Sequence, residues 1–136
     1  MKKTITAILA FIVVLASCKK NDKTLNEPFD KSNAIELNQG IYINSSQEVS
    51  GCARVYTKDN NRYLVFENFK ATAGPDLKVY FSTSTTNNDV VSLGDLKATG
   101  GNFSYCIPAN IDISSYKYIL IWCEDFKKLF GYAVLN

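Results

Sequence analysis

Cysteine is the residue type with the richest chemistry in this sequence, and it occurs four times, as Cys18, Cys52, Cys106 and Cys123. The chain contains no histidine, so the general base of a Ser-His-Asp or Cys-His nucleophile is missing. The same absence excludes a blue-copper site and any zinc or haem bound through imidazole. The single methionine is Met1. Since no catalytic constellation is visible, we predict that the chain is not an enzyme.

Cys18 stands at the end of a signal-peptide pattern. Lys2 and Lys3 provide the positive start, and the apolar run over residues 5–15 is too short to cross a bilayer, which takes about twenty residues. Leu15-Ala16-Ser17-Cys18 matches the lipobox of bacterial lipoproteins, in which the peptide is cleaved before the cysteine and lipid is attached to it. An ordinary secretory signal with a chance cysteine, or a short membrane anchor, is the alternative.

These features predict a lipoprotein signal peptide over residues 1–17 and lipid attachment, palmitate included, at Cys18. Several lipid chains on one cysteine give stable anchoring, whereas a single chain would be marginal. Lys19 rather than Asp follows the cysteine, which by resemblance to enterobacterial sorting rules favours the outer membrane of the cell envelope. We therefore expect the membrane to be one partner of the mature chain.

The mature chain would carry no net charge. Without Lys2 and Lys3 the 15 basic residues fall to 13, which equals the number of acidic residues, so no nucleic-acid partner is expected. Residues 18–38 are rich in Lys, Asn and Asp and include Pro28. This composition predicts a lipid-anchored polar linker before a domain at residues 39–136. An additional first strand at residues 34–37 is the alternative.

The sequence predicts that the remaining three cysteines lie on β-strands. Short apolar runs alternate with turn residues, a pattern that predicts a small antiparallel β-sandwich of about seven or eight strands. The candidate strands cover residues 40–43, 49–57, 62–69, 77–82, 90–93, 102–107, 117–124 and 129–135. Residues 118–123 are apolar on both faces, which predicts a central strand that is covered on both sides.

Turn residues separate these strands. Gly74-Pro75-Asp76 predicts a structural turn, because proline fixes φ, glycine permits unusual conformations and the aspartate can accept bonds from nearby backbone amides. Asp59-Asn60-Asn61 and Asn87-Asn88-Asp89 are oxygen-rich but lack the EF-hand spacing, so we expect solvated turns and no metal site. Glu124 and Asp125 are adjacent on a strand and would point to opposite faces, so they form no shared acid site.

The alternation of side chains along each predicted strand indicates which of the other three cysteines could form a disulfide. Cys52 and Cys106 lie on the more polar sides of their predicted strands, whereas Cys123 is in phase with Ile119 and Ile121. Since the compartment beyond the inner membrane permits disulfides, we predict a Cys52–Cys106 bridge and a free thiol at Cys123. The alternative is that all three are small apolar fillers of the core.

Several short motifs follow one another in an order that resembles a known family. They are Ser50-Gly51, Gly74-Pro75-Asp76-Leu77, Leu93-Gly94-Asp95-Leu96-Lys97, Tyr105-Cys106-Ile107-Pro108, Ile121-Trp122-Cys123-Glu124-Asp125-Phe126 and Phe130-Gly131. Over about residues 40–135 the chain resembles the DM13 (DM-thirteen) electron-transfer domain, the module that accompanies DOMON domains in animal proteins such as Skeletor. The resemblance implies a small β-sandwich with one redox cysteine, matched here by Cys123, that acts as a bare thiol or as a ligand to a prosthetic group such as haem.

Two functions of different classes follow. The first is a redox or electron-transfer module on a lipid anchor, centred on Cys123, with a redox protein as partner. A haem here could be held only through the Cys123 thiolate or a tyrosine phenolate. The alternative is a noncatalytic envelope lipoprotein that binds a protein or glycan or has a structural role, with Cys123 as a buried structural residue.

Overall fold

The computed structural model describes residues 22–136, and the regular elements in that range are β-strands. They are β1 (Thr24–Asn26), β2 (Ile35–Asn44), β3 (Val49–Lys58), β4 (Asn61–Ala71), β5 (Leu77–Ser82), β6 (Val90–Asp95), β7 (Gly100–Ile107), β8 (Tyr118–Cys123) and β9 (Lys128–Val134). The predicted all-β class is therefore confirmed. The predicted signal peptide and Cys18 lie outside the described residues. Within the described range, no helix has the length and apolarity needed to cross a bilayer.

Between residues 22 and 136, nine strands form one curled sheet in the order β1-β7-β4-β3-β2-β9-β8-β5-β6. The long strand β2 joins the two halves, because its first part pairs with β3 and its last residues, from Tyr42 to Asn44, pair with β9. Among these nine strands the pairs are antiparallel except β1 and β7, which run parallel. Residues from both halves belong to one core cluster, so the sheet packs against itself much as a sandwich does.

Aromatic rings fill much of the space inside the curl. Tyr42, Phe66, Phe69, Phe103 and Tyr105 are buried, and their neighbouring ring centroids lie 4.9–6.1 Å apart. Tilted and edge-on arrangements at this spacing are favourable for aromatic pairs. The inner faces of β5 and β8 supply aliphatic residues to the same cluster. This contiguous core supplies the apolar burial that stabilises the fold.

Strand β8 is covered on both faces, as its sequence predicts. It lies between β9 and β5 in the sheet. Ile119 and Ile121 are fully buried in the common core, while Leu120 and Trp122 are buried on the other face in a second cluster with Tyr80. A strand enclosed in this way has little freedom to move, so it gives a rigid position to the cysteine at its end.

The structure extends the fold into the segment that the sequence assigns to a linker. The eight candidate strands are present in the described range, but β2 begins at Ile35, and a ninth strand, β1, pairs in parallel with β7 through Thr24 and Gly100. β1 is only three residues long and has one apolar side chain, Leu25. Backbone hydrogen bonds at a sheet edge leave no periodic apolar pattern, so the sequence does not reveal such a strand.

Phe29 attaches this segment to the outer face of the sheet. Its ring centroid lies 5.2 Å from the ring centroids of both Tyr56 and Tyr63. Beside it, Lys31 Nζ forms an ion pair with Glu67 Oε1 at 2.7 Å. Exposed ion pairs contribute little to stability, so the aromatic packing is the stronger of these two side-chain contacts and adds to the backbone pairing of β1. Residues 22–34 are therefore part of the folded domain.

Phe29→Ala should lower the free energy of unfolding by about 1–2 kcal/mol, because it removes the ring that packs on two tyrosines. Chemical denaturation of the purified chain measures the change. Phe126→Ala is the matched control, since Phe126 is 55% exposed and its removal should change the free energy by less than about 0.5 kcal/mol. Equal effects of the two substitutions would contradict the attachment of residues 22–34 to the sheet.

Candidate functional site

Cys123 is the last residue of β8, and its side chain belongs to the core. It is fully buried in the same cluster as Ile119 and Ile121. The thiol donates a hydrogen bond to the backbone oxygen of Pro75, with 3.0 Å between Sγ and the oxygen. Cys123 is free of any disulfide. Because a carbonyl oxygen is only an acceptor, this contact requires the protonated thiol.

The accepting oxygen belongs to the predicted Gly74-Pro75-Asp76 turn, which precedes β5. A Cβ at Gly74 would lie 2.8 Å from Cζ of Phe130, so only glycine allows this packing without a shift of the ring or turn. Asp76 has φ of 54°, in the left-handed region. Its backbone oxygen accepts a 3.0 Å hydrogen bond from the amide of Glu124. The turn and the end of β8 are thus joined by two neighbouring hydrogen bonds.

The carboxylate of Asp76 has a different partner from the backbone amides that its sequence suggests. It forms an ion pair with Nζ of Lys78 at 3.0 Å, and Lys78 also bonds to Asp95. These hydrogen bonds, first to Asp95 and then to Asp76, raise the pKa of the Lys78 ammonium above its ordinary value. Since the three side chains are partly or largely exposed, their ion pairs contribute little to the stability of the fold. Their effect is to hold the three side chains in position on this surface.

A cleft of about 380 Å³ opens beside the turn. The turn forms one wall, Asp95 and Lys97 form another, and Asp22 and Lys23 close the side where the described chain begins. Three aspartates and two lysines lie in the lining together with apolar residues such as Leu77, and Cys123 does not belong to it. The cleft is therefore a polar surface groove that gives no direct access to the thiol.

A second polar contact lies on the other side of β8. The phenol of Tyr80 donates to Oε1 of Glu124, and Lys127 Nζ lies 2.8 Å from Oε2 of the same carboxylate. Burial, followed by this hydrogen bond, raises the pKa of Tyr80 to about 12. Hydrogen bonds from Lys127 and Tyr80 lower the pKa of Glu124. At neutral pH the pair is a neutral phenol and a carboxylate, with Trp122 in the same cluster as Tyr80.

Haem ligation through Cys123 does not fit these residues. The sulfur is fully buried, it is hydrogen bonded to Pro75, and it shares a core cluster with Leu77 and Phe130. A thiolate ligand would need an ionised sulfur with open space in front of it. Cys123 is absent from the linings of four clefts on the surface of the described range, including the one beside the turn. The arrangement suits a bare thiol.

The predicted Cys52–Cys106 disulfide is absent from the described residues, where both cysteines are free. Cys52 pairs with Glu67 of β4, and Cys106 pairs with Tyr63 of the same strand. A whole strand therefore lies between the cysteines, and their partners are four residues apart along it, which gives a separation of roughly 15 Å. The α-carbons of a disulfide lie only about 6 Å apart. The alternation of side chains along each strand predicts that both cysteines lie on the same face of the sheet. It does not predict how far apart they lie on that face.

The two oxygen-rich stretches form turns in the structure. Asp59 and Asn60 have φ of 50° and 63° at the tip of the β3–β4 hairpin, where two left-handed residues match the strand twist. Asp89 accepts a 3.0 Å hydrogen bond from the hydroxyl of Tyr116. Among residues 22–136, no group of three or more acidic, cysteine or histidine side chains is placed to hold a metal ion.

The polar partners around the site cannot be predicted from the sequence. Lys78 and Tyr80 alternate with the core residues Leu77, Val79 and Phe81, so their place on the outer face of β5 could be predicted. Their partners Asp95 and Glu124 lie on β6 and in the β8–β9 hairpin. No local spacing indicates such contacts, because they depend on which strands become neighbours.

Comparison with known families supports the resemblance seen in the sequence. The family model described as "Electron transfer DM13" matches residues 42–135, a range that includes the 74–77 turn and Cys123. No curated protein and no solved structure matches the chain.

The cysteines should react with an alkylating reagent in the order of their exposure. Cys106 is exposed, Cys52 is half-buried and Cys123 is buried, so without reductant the native protein should be labelled in that order. In denaturant all three should react. Peptide mass spectrometry after timed quenching measures each rate. Peptides of Cys52 and Cys106 that remain linked until reductant is added would contradict the structure.

Gly74→Ala should loosen the turn, because the new Cβ would lie 2.8 Å from the Phe130 ring. We expect a loss of roughly 1–3 kcal/mol in unfolding free energy and faster alkylation of Cys123. Gly100→Ala is the matched control, since its Cβ would meet its nearest neighbour at an ordinary 3.5 Å. An unchanged rate for Cys123 in Gly74→Ala would show that the turn does not control access to the thiol.

Proposed function

The chain belongs to the DM13 electron-transfer family, and on that premise we propose that it is a membrane-anchored lipoprotein whose redox chemistry is centred on Cys123. The observation that favours Cys123 over the other cysteines is the 3.0 Å hydrogen bond from its thiol to Pro75. It joins two of the motifs on which the family resemblance depends, Gly74-Pro75-Asp76-Leu77 and the stretch that contains Cys123. Cys52 and Cys106 lie on the outer face, away from this contact.

The surroundings of Cys123 limit what its thiol can do while the turn is closed. Thiol oxidation and nucleophilic attack require loss of the proton from sulfur, and the proton's hydrogen-bond partner is a carbonyl oxygen, which is a poor base. Complete burial also keeps reagents and partners away from the sulfur. We therefore expect Cys123 to react only after the turn has moved away and solvent or a partner can reach the sulfur.

The lipid anchor would determine where this chemistry takes place. Cys18 ends the lipobox, and its acylation would hold the domain in the cell envelope, on the outer membrane. A redox protein or another envelope protein is then the expected partner. The neutral balance of charges in the mature chain, 13 basic and 13 acidic residues, gives no electrostatic reason for a nucleic-acid partner.

A noncatalytic envelope lipoprotein is the second candidate function, and the complete burial of Cys123 favours it. Free cysteine is among the most buried residue types and often serves as a small apolar side chain. In this case the domain would bind or support an envelope component, and Cys123 would fill space beneath Pro75. The two functions differ in whether any redox response of the protein depends on Cys123.

Cys123→Ser should abolish the redox response of the purified lipoprotein and leave the fold intact, because serine can donate the same hydrogen bond to Pro75. Protein-film voltammetry measures the response, and circular dichroism checks the fold. Cys106→Ser, which replaces an exposed thiol, is the matched control and should retain the response of the parent. A response that survives in Cys123→Ser would assign this cysteine a structural role and favour the second candidate.

Cys18→Ala should leave an unprocessed precursor that does not partition into the detergent phase, because the residue that accepts lipid is gone. Phase separation and intact-mass measurement of the expressed chain distinguish the two forms. Cys52→Ser keeps the lipobox and serves as the control. Normal processing and membrane binding of Cys18→Ala would rule out the anchor.

A further inference from the structure

We infer that one end of the domain lies against the bilayer surface, and that this end carries Cys123. The inference rests on the proposed lipid attachment at Cys18 and adds the surface through which the anchored domain meets its membrane. We call this surface the membrane-facing end. It comprises the start of β1, the 74–77 turn and the β8–β9 hairpin at residues 124–127.

Hydrogen bonds hold the first described residues against the sheet at the membrane-facing end. The amide of Lys23 donates to Oγ1 of Thr99 at 3.2 Å, and the amide of Thr99 donates to the backbone oxygen of Lys23 at 2.9 Å. Thr24 then pairs with Gly100. Because Asp22 and Lys23 line the same cleft as the 74–77 turn, the start of the chain and the turn lie side by side.

Very little chain separates this point from the proposed lipid. Asp22 is the fourth residue after Cys18, and four residues span at most about 14 Å when fully extended. Strand β4, with 11 residues, is roughly 36 Å long. The connection is therefore much shorter than the domain, and it keeps the end where β1 begins close to the bilayer in any orientation of the domain.

Strand directions place Cys123 at the same end. β4 finishes beside Gly100, through the pairing of Lys70 with Gly100. The chain then passes through the turn into β5, whose first residue, Leu77, pairs with Cys123 at the end of β8. The opposite end holds the tip of the β3–β4 hairpin and the start of β2, where Ile35 pairs with Thr57.

The β8–β9 hairpin of the membrane-facing end has the side chains of an interfacial contact. Phe126 lies in this hairpin with 55% of its surface exposed, and Lys127 follows with 73% of its side chain exposed. Aromatic rings and lysines are favoured at the boundary between headgroups and acyl chains, where a ring meets lipid and an ammonium meets phosphate. The Lys127 ammonium is bonded to Glu124 on one side, at 2.8 Å, and the exposure of its side chain leaves room for a headgroup on the other. The bilayer is therefore the occupant that suits this exposed ring, and it would lie on the same side as the 74–77 turn that covers Cys123.

Two tryptophan reporters, Phe126→Trp and Ile35→Trp, test this orientation in the full lipidated chain. Ile35 is 65% exposed at the opposite end, and Trp122 provides the same background emission in both variants. Each is reconstituted in vesicles of phosphatidylethanolamine and phosphatidylglycerol that contain brominated phospholipid. The emission added by Phe126→Trp should be quenched at least about twofold more than that added by Ile35→Trp, because only the former reaches interfacial depth.

Flotation with the vesicles separates failure of this inference from failure of the anchor. If both variants float and their added emission is quenched equally, the domain has no preferred end, and the inference is overturned while the anchor stands. If neither variant floats, the anchor is refuted and the inference with it. Stronger quenching of Phe126→Trp in floating protein supports both.

Discussion

Closure of the 74–77 turn against the end of β8 is the constraint on which the proposed chemistry depends. The Cys123 thiol bonds to Pro75, the Glu124 amide bonds to Asp76, and the Phe130 ring takes the space that Gly74 leaves free. Since β8 is buried on both faces, its end cannot move aside without disrupting the core. Exposure of the sulfur therefore requires movement of the turn, and such a local opening needs less free energy than global unfolding.

The parts of this site can be predicted from the sequence, whereas their contact cannot. Alternation at Leu77, Val79 and Phe81 identifies β5, the apolar run at residues 118–123 identifies a covered strand, and Gly74-Pro75-Asp76 identifies a turn. These are local patterns, each with its own period or composition. The bond between Pro75 and Cys123 spans 48 residues. It exists because β5 and β8 become neighbours, which depends on packing of the whole sheet.

The differences between prediction and structure have the same physical origin. A period of two places Cys52 and Cys106 on one face, yet the intervening β4 keeps them apart, since phase carries no information on strand order. Residues 22–34 have the composition of a linker, and their attachment depends on one ring, Phe29, and on backbone pairing of β1. The separation of the two cysteines and the attachment of residues 22–34 both depend on contacts between residues far apart in the sequence. The composition of a segment carries no information on such contacts.

The most direct test of a turn-gated thiol compares two rates in one sample across increasing denaturant. One is alkylation of Cys123, and the other is hydrogen exchange of the Glu124 amide, which is bonded to Asp76. Gating by the turn predicts that both rates give the same opening free energy, smaller than that of global unfolding and only weakly dependent on denaturant. If Cys123 reacts only through global unfolding, with the full unfolding free energy and denaturant dependence, the cysteine is a structural core residue and the gated redox thiol is contradicted.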